Sequence, residues 1–111
     1  MDFLKMRDER IMNRLAVRIA RYMADYDHYG FMDSLEAGET FDDGLKRAVD
    51  EVYSELSEGN YDTVIGWVFD PDADERMMAE QSAIIRQIRR LEECRRRRNR
   101  KNVSGYKGAS S

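Results

Sequence analysis

The chain has 111 residues, of which 41% are hydrophobic and 37% are charged, as in a single globular domain with an ionic surface. Its one cysteine excludes an intrachain disulfide, and its longest apolar run is too short to span a membrane. Because the N-terminal residues also lack the apolar stretch of a signal peptide, we expect a cytoplasmic protein.

The formal net charge of -3 conceals three segments of different sign. Residues 1–21 carry six basic and three acidic side chains, and residues 22–75 carry two basic and sixteen acidic ones. Residues 76–111 carry eleven basic and three acidic side chains. A chain that is nearly neutral on average can therefore present two surfaces of opposite potential, each suited to a different class of partner.

The first predicted element is a helix over residues 2–26. At about 100° per residue, six apolar side chains share one face: Leu4, Ile11, Leu15, Ile19, Tyr22 and Tyr26. Five arginines share a neighbouring face: Arg7, Arg10, Arg14, Arg18 and Arg21. Like charges four residues apart on a helix repel one another. We therefore expect either the acidic residues of the second helix or an external polyanion to offset this repulsion.

A second helix follows a polar connection over residues 28–39. Thr40 and Asp43 predict a capping box at its start, and Gly59 predicts its end. Seven side chains form its apolar face: Phe41, Leu45, Ala48, Val49, Val52, Tyr53 and Leu56. Five carboxylates lie on the far side: Asp43, Asp50, Glu51, Glu55 and Glu58. Carboxylates spaced along a helix can imitate a phosphate backbone, so this acidic face is an alternative interface.

Residues 61–69 fit both a helical stripe and the alternation of a strand. No other segment has the pattern of a strand that could pair with them. We therefore predict a short buried helix here.

A last helix is predicted to begin near Asp72, after Pro71, with Asp70 or Asp72 as its cap. Its apolar stripe consists of Met77, Ile84, Ile88 and Leu91. The next position on that stripe is Arg95, so the core is predicted to end at Leu91. We divide the chain into a helical domain over residues 1–94 and an Arg-rich helical extension over residues 95–111, which ends in a flexible tail.

The segment 95–101 is the strongest local signal, because six of its seven residues are basic. Guanidinium groups bind phosphate bidentately, and Arg-rich segments of other proteins fold on RNA. The basic residues of the last helix that we expect to contact nucleic acid or an acidic partner are Arg86, Arg89, Arg90, Arg95, Arg96, Arg97, Arg98, Arg100 and Lys101. The alternative is a basic surface that only keeps the protein solvated.

Catalytic and metal-binding motifs are weak in this chain. The acidic segment 70–75 matches the first half of a calcium loop, but Glu75 and Gln81 stand where that loop requires glycine and a bidentate glutamate. Nothing in the sequence places His28 beside Cys94 as a base and a nucleophile. We expect neither an enzyme nor a metal site nor a cofactor.

The sequence thus predicts a mainly α fold, a small bundle of three or four helices with a long basic C-terminal helix. The function we expect is that of a small binding protein that engages nucleic acid or a nucleoprotein complex through the Arg-rich C-terminal helix and the arginine stripe of the first helix. We expect no membrane partner, and a homodimer is an option. One alternative is a phage or mobile-element inhibitor, of the anti-CRISPR or anti-restriction type, that uses its acidic surface. A structural adaptor for another protein's helix is a third option.

Overall fold

The computed structural model describes the backbone of residues 3–35 and 37–110, and the side chains of residues 5–28, 30–35 and 37–98. Four α-helices occupy this part of the chain: α1 (Phe3–Asp25), α2 (Phe41–Ser57), α3 (Tyr61–Val68) and α4 (Glu75–Ser110). α1 packs against α2 and α4, and α3 packs against the same two helices. The predicted small all-α bundle with a long C-terminal helix is therefore confirmed, as is the short helix predicted at residues 61–69.

Both ends of α2 are set by the residues that the sequence indicated. Thr40 Oγ1 accepts a hydrogen bond from Asp43 N at 3.1 Å, and Asp43 Oδ2 accepts one from Thr40 N at 3.5 Å. This is the reciprocal pair of a capping box. Gly59 has a φ of 84°, a conformation that glycine adopts without a steric penalty, and it ends the helix.

The start of α4 differs from the prediction. Asp74 is the cap, because its Oδ1 accepts a hydrogen bond from Met77 N at 2.8 Å. Asp70 Oδ1 instead accepts from Asp72 N at 2.9 Å, in the turn that contains Pro71. The prediction of Asp70 or Asp72 as the cap was wrong because the turn at Pro71 uses both residues, and the helix begins only at Glu75.

All four helices contribute to the core. The largest fully buried side chains are Ile19, Val52, Leu56, Val64, Val68, Ile84 and Ile88. The whole predicted stripe of α4 is buried, which confirms that part of the prediction. On α1, however, Met12 and Ala16 are buried while Ile11 is 38% exposed. Ile11 was wrongly predicted to be a core residue, because it lies at the edge of the buried arc of α1.

None of the described helices combines the length and the apolar character of a transmembrane span.

Candidate nucleic-acid interface

Arg95 continues the buried stripe of α4 and is held by the end of α2. Its Nη1 donates hydrogen bonds to Leu56 O at 2.6 Å and to Tyr61 Oη at 2.7 Å, and its Nη2 donates to Ser57 O at 3.0 Å. The guanidinium also lies 5.8 Å from the centroid of the Tyr61 ring, within range of a cation–π interaction. The last carbonyls of a helix have no partner inside the helix. Arg95 therefore caps α2, and its donors are engaged within the bundle.

The next three arginines of the run have different surroundings. Arg96 Nη2 lies 3.1 Å from Glu92 Oε2, and Arg97 Nε lies 3.1 Å from Glu93 Oε1, each pair spanning one turn of α4. Arg98 forms an ion pair with Asp8 of α1. The predicted contacts of Arg100 and Lys101 fall outside the described side chains.

A groove of about 480 Å³ between α1 and α4 brings the arginines of the two helices together. It is lined by Arg7, Asp8, Ile11, Arg14, Leu15, Arg18, Gln87, Arg90, Leu91, Cys94 and Arg98. Five of these side chains are cationic and one is anionic, while three aliphatic side chains form an apolar floor. Two arginine sets that are remote in sequence thus share one concave surface, and no residue of the acidic helix α2 lines it.

Arg18 is neutralised on one side of the groove by an acid of α4. Its Nε and Nη2 donate to the two carboxylate oxygens of Glu80 at 2.7 and 3.1 Å, and its Nη1 donates to Gln87 Oε1 at 2.7 Å. The hydrogen bond from Arg18 lowers the pKa of Glu80, since it stabilises the charged carboxylate. The acid that offsets Arg18 therefore comes from α4 and not, as expected, from α2.

Arg7, Arg14 and Arg90 are the groove arginines that remain available. All three side chains are exposed, and none forms an ion pair with another described residue. Arg14 lies four residues from Arg10, which also forms no ion pair with another described residue, so the repulsion expected along α1 remains between these two. A bound polyanion would offset it.

The other predicted arginines lie outside the groove. Arg89 pairs with Asp62 at 2.9 Å and with Glu92 at 3.0 Å. Three more are exposed and form no ion pair with another described residue: Arg10, Arg21 and Arg86. They extend the positive surface along α1 and α4 beyond the groove.

The acidic face of α2 is partly occupied by local contacts. Asp43 belongs to the capping box, and Asn60 Nδ2 donates to Glu55 Oε2 at 2.8 Å and to Glu58 Oε2 at 3.3 Å. Asp50 and Glu51 are exposed. The alternative acidic interface therefore has two carboxylates for which the structure gives no such local hydrogen bond.

A buried polar cluster that was not predicted from the sequence joins α1, α3 and α4. Gln81 is 2% exposed, and its Oε1 accepts a hydrogen bond from Asp70 N at 2.7 Å. Tyr22 Oη donates to Val68 O at 2.9 Å and lies 3.4 Å from Gln81 Oε1. Burial is the main cause that raises the pKa of Tyr22 to about 12. The signal for Gln81 was its position on the apolar stripe, between Met77 and Ile84.

His28 and Cys94 lie in different surroundings. His28 Nδ1 is 3.6 Å from Asp70 Oδ2, and its ring contacts Tyr22 edge-on at 5.6 Å between the centroids. Cys94 is exposed and lines the groove. Within the described residues, no three side chains of histidine, cysteine, aspartate or glutamate are grouped so that they could hold a metal ion.

Comparison of the chain with protein-family models, with curated proteins and with solved structures finds no match. A functional proposal for this protein therefore rests on its own residues. The groove between α1 and α4 is the feature in which charge, shape and unengaged donors coincide.

Proposed function

We propose that this protein binds nucleic acid, alone or within a nucleoprotein complex, through the groove between α1 and α4. The observation that supports the proposal is the convergence of Arg7 and Arg14 from α1 with Arg90 from α4. Because these guanidinium groups have no ion pair with a described residue, they can bind phosphate without breaking an internal salt bridge.

The electrostatic driving force follows from the same arrangement. Several guanidinium groups around one concave surface focus the positive potential there and attract polyanions. Each phosphate that an arginine neutralises releases condensed counterions from the nucleic acid, which favours binding at low salt. The exposed Arg10, Arg21 and Arg86 add to this potential on the same two helices.

The contact set differs from the Arg-rich run on which the sequence analysis focused. Arg95 caps α2, and we therefore leave it out of the proposed interface. Arg96 and Arg97 form only exposed pairs within α4, and such pairs contribute about 0–1 kcal/mol. They are secondary contacts, while the groove arginines are the primary ones.

The test is fluorescence anisotropy with labelled RNA and DNA. The variant Arg14→Gln/Arg90→Gln removes two positive charges from the groove. The control Arg96→Gln/Arg97→Gln removes two from the outer surface of the same protein. We expect the groove variant to bind roughly tenfold more weakly than the wild type, because two phosphate contacts are lost, and the control to bind at most about twofold more weakly.

Two results would contradict the proposal. One is a wild-type dissociation constant for both RNA and DNA that is weaker than about 100 μM at physiological salt, the weak end of non-specific binding. The other is an equal loss of affinity in the two double variants. A protein target whose binding requires Asp50 and Glu51, in the absence of nucleic-acid binding, would support the inhibitor alternative instead.

A further inference from the structure

We infer that the nucleic acid in this groove is single-stranded, an inference that rests on the proposed function. The groove is not uniformly polar: Ile11, Leu15 and Leu91 lie between the arginines of α1 and those of α4. Leu15 and Leu91 are 4% and 3% exposed and form the base of this floor, whereas Ile11 keeps 38% of its surface exposed and supplies most of the apolar surface that a partner could cover. A partner that covers this floor gains apolar burial in addition to its contacts with the arginines.

A duplex has little to offer such a floor. The bases of a duplex are stacked inside it, and the backbone that would lie along this groove consists of phosphate and sugar. A single strand exposes the faces of its bases, which stack on aromatic side chains or guanidinium planes while the phosphates meet the cations. None of the described side chains that line this groove is aromatic, so its guanidinium planes would take the stacking role and its aliphatic floor would contribute apolar burial. Arginines on both sides of an aliphatic floor match that alternation of anionic and apolar groups.

The dimensions of the groove support the same occupant. Its volume of about 480 Å³ falls in the range of pockets that enclose a small organic ligand, about 300–1,000 Å³. The groove between α1 and α4 therefore has room for the base and sugar of one nucleotide.

The protein carries its own reporter of groove occupancy. Cys94 is the single cysteine of the chain, it is exposed, and it lines the groove. A strand that lies on the floor covers this thiol and slows its alkylation. Binding elsewhere on the positive surface of α1 or α4 leaves the alkylation rate unchanged.

The experiment compares an oligouridylate or oligothymidylate of about 12 nucleotides with a duplex of equal length, by anisotropy and by the rate of iodoacetamide alkylation at Cys94. We expect the single strand to bind roughly tenfold more tightly than the duplex, since only the single strand contacts the floor. Alkylation should slow in proportion to the fraction of protein bound to the single strand.

A pair of matched variants tests the floor itself. Ile11→Ser removes aliphatic surface from the groove, while Met6→Ser removes it from the same helix outside the groove, at a residue of similar exposure (37%). Ile11→Ser should weaken single-strand binding roughly threefold to tenfold and leave duplex binding unchanged. Met6→Ser should change neither, and circular dichroism would check that both variants fold.

The outcomes separate this inference from the proposed function. Equal affinity for strand and duplex, with no effect of Ile11→Ser, overturns the inference and leaves nucleic-acid binding in place. A bound strand that leaves the alkylation of Cys94 unchanged also overturns the inference, and it places the nucleic acid outside the groove. Failure to bind either nucleic acid overturns both. Protection of Cys94 by an acidic amphipathic peptide, where the oligonucleotide gives none, makes the groove a protein-docking site and also overturns the inference.

Discussion

Arginines lie both at the end of α2 and in the groove between α1 and α4, but their hydrogen-bond partners differ. At the end of α2, Arg95 donates to the carbonyl oxygens of Leu56 and Ser57, which lie in the last turn of the helix; Leu56 O also accepts from Gly59 N at 3.1 Å. In the groove, Arg14 and Arg90 project from the flanks of two helices, where the backbone groups are already bonded to one another. An arginine is therefore available to a partner according to the acceptors around it, and not according to the density of arginines in its segment.

The largest expected effect is the loss of stability on replacing Arg95. Arg95→Ala removes charged hydrogen bonds to Leu56, Ser57 and Tyr61, and we expect the free energy of unfolding to fall by about 2–3 kcal/mol. Urea denaturation measures it. The control Arg96→Ala loses one exposed pair and should cost less than about 0.5 kcal/mol. Equal small losses in the two variants would mean that Arg95 does not stabilise the end of α2.

Tyr22 is the neutral counterpart of Arg95, because it donates to the carbonyl of Val68 at the end of α3. Its pKa is raised to about 12 from the ordinary 10, so the folded state holds the phenolic proton more tightly than the unfolded state. This contribution is fully present below pH 10 and is lost as the pH rises towards about 12, with a total of about 2–3 kcal/mol.

The variant Tyr22→Phe isolates that contribution. At neutral pH it should lower the free energy of unfolding by about 1 kcal/mol, the value of one hydrogen bond. Towards about pH 12 the gap between variant and wild type should close and then reverse in sign, because the wild type alone loses about 2–3 kcal/mol, which exceeds the difference of about 1 kcal/mol at neutral pH. Denaturation curves at neutral and alkaline pH test this. A gap that stays constant with pH would show that Tyr22 titrates normally.

Arg18 stands between the two regions, because it lines the groove yet is paired with Glu80. The pair lowers the pKa of Glu80 and is more than a third exposed, so its stabilisation is at most about 1 kcal/mol. That stabilisation is present above the ordinary glutamate pKa of 4.5 and is lost as the pH falls through the lowered value.

Glu80→Gln should therefore destabilise the protein slightly at neutral pH and not in acid. It should also strengthen nucleic-acid binding, because Arg18 then has no carboxylate partner in the groove. Denaturation at the two pH values and an anisotropy titration measure both effects. Weaker nucleic-acid binding by Glu80→Gln would place Arg18 outside the interface.

The smallest expected effect on stability belongs to the groove. Arg14→Gln and Arg90→Gln should each change the free energy of unfolding by less than about 0.5 kcal/mol, since neither side chain has an ion pair within the described residues. Thermal melts of the single variants check this. A loss comparable to that of Arg95→Ala would mean that the groove arginines serve the fold.

Local chemistry in the sequence predicted the elements well. The capping box at Thr40 and the positive φ at Gly59 depend on neighbouring residues only, so both ends of α2 could be read from the chain. The stripe from Met77 to Leu91 likewise follows from helical periodicity. Periodicity does not say which neighbour covers the edge of a stripe, and this is why Ile11 was misassigned.

The residues of the candidate site could not be predicted from local sequence patterns, because they come together only through the packing of α1 against α4. Arg14 and Arg90 line the same groove because of how α1 and α4 pack, although they are far apart in the chain. The role of Arg95 depends on where α2 ends relative to α4. Such contacts are tertiary. The run of arginines therefore predicted a basic surface on the last helix, but not which of its arginines form hydrogen bonds within the bundle.

The salt dependence of single-strand binding tests the central claim most directly. Each phosphate contact contributes about 0.7 to the slope of log K against log salt concentration for a single strand. Arg14→Gln/Arg90→Gln should therefore reduce the magnitude of the wild-type slope by about 1.4, and Arg96→Gln/Arg97→Gln should reduce it by less than half as much. A slope that the groove variant leaves unchanged, or that both variants reduce equally, would contradict the assignment of the groove as the nucleic-acid interface.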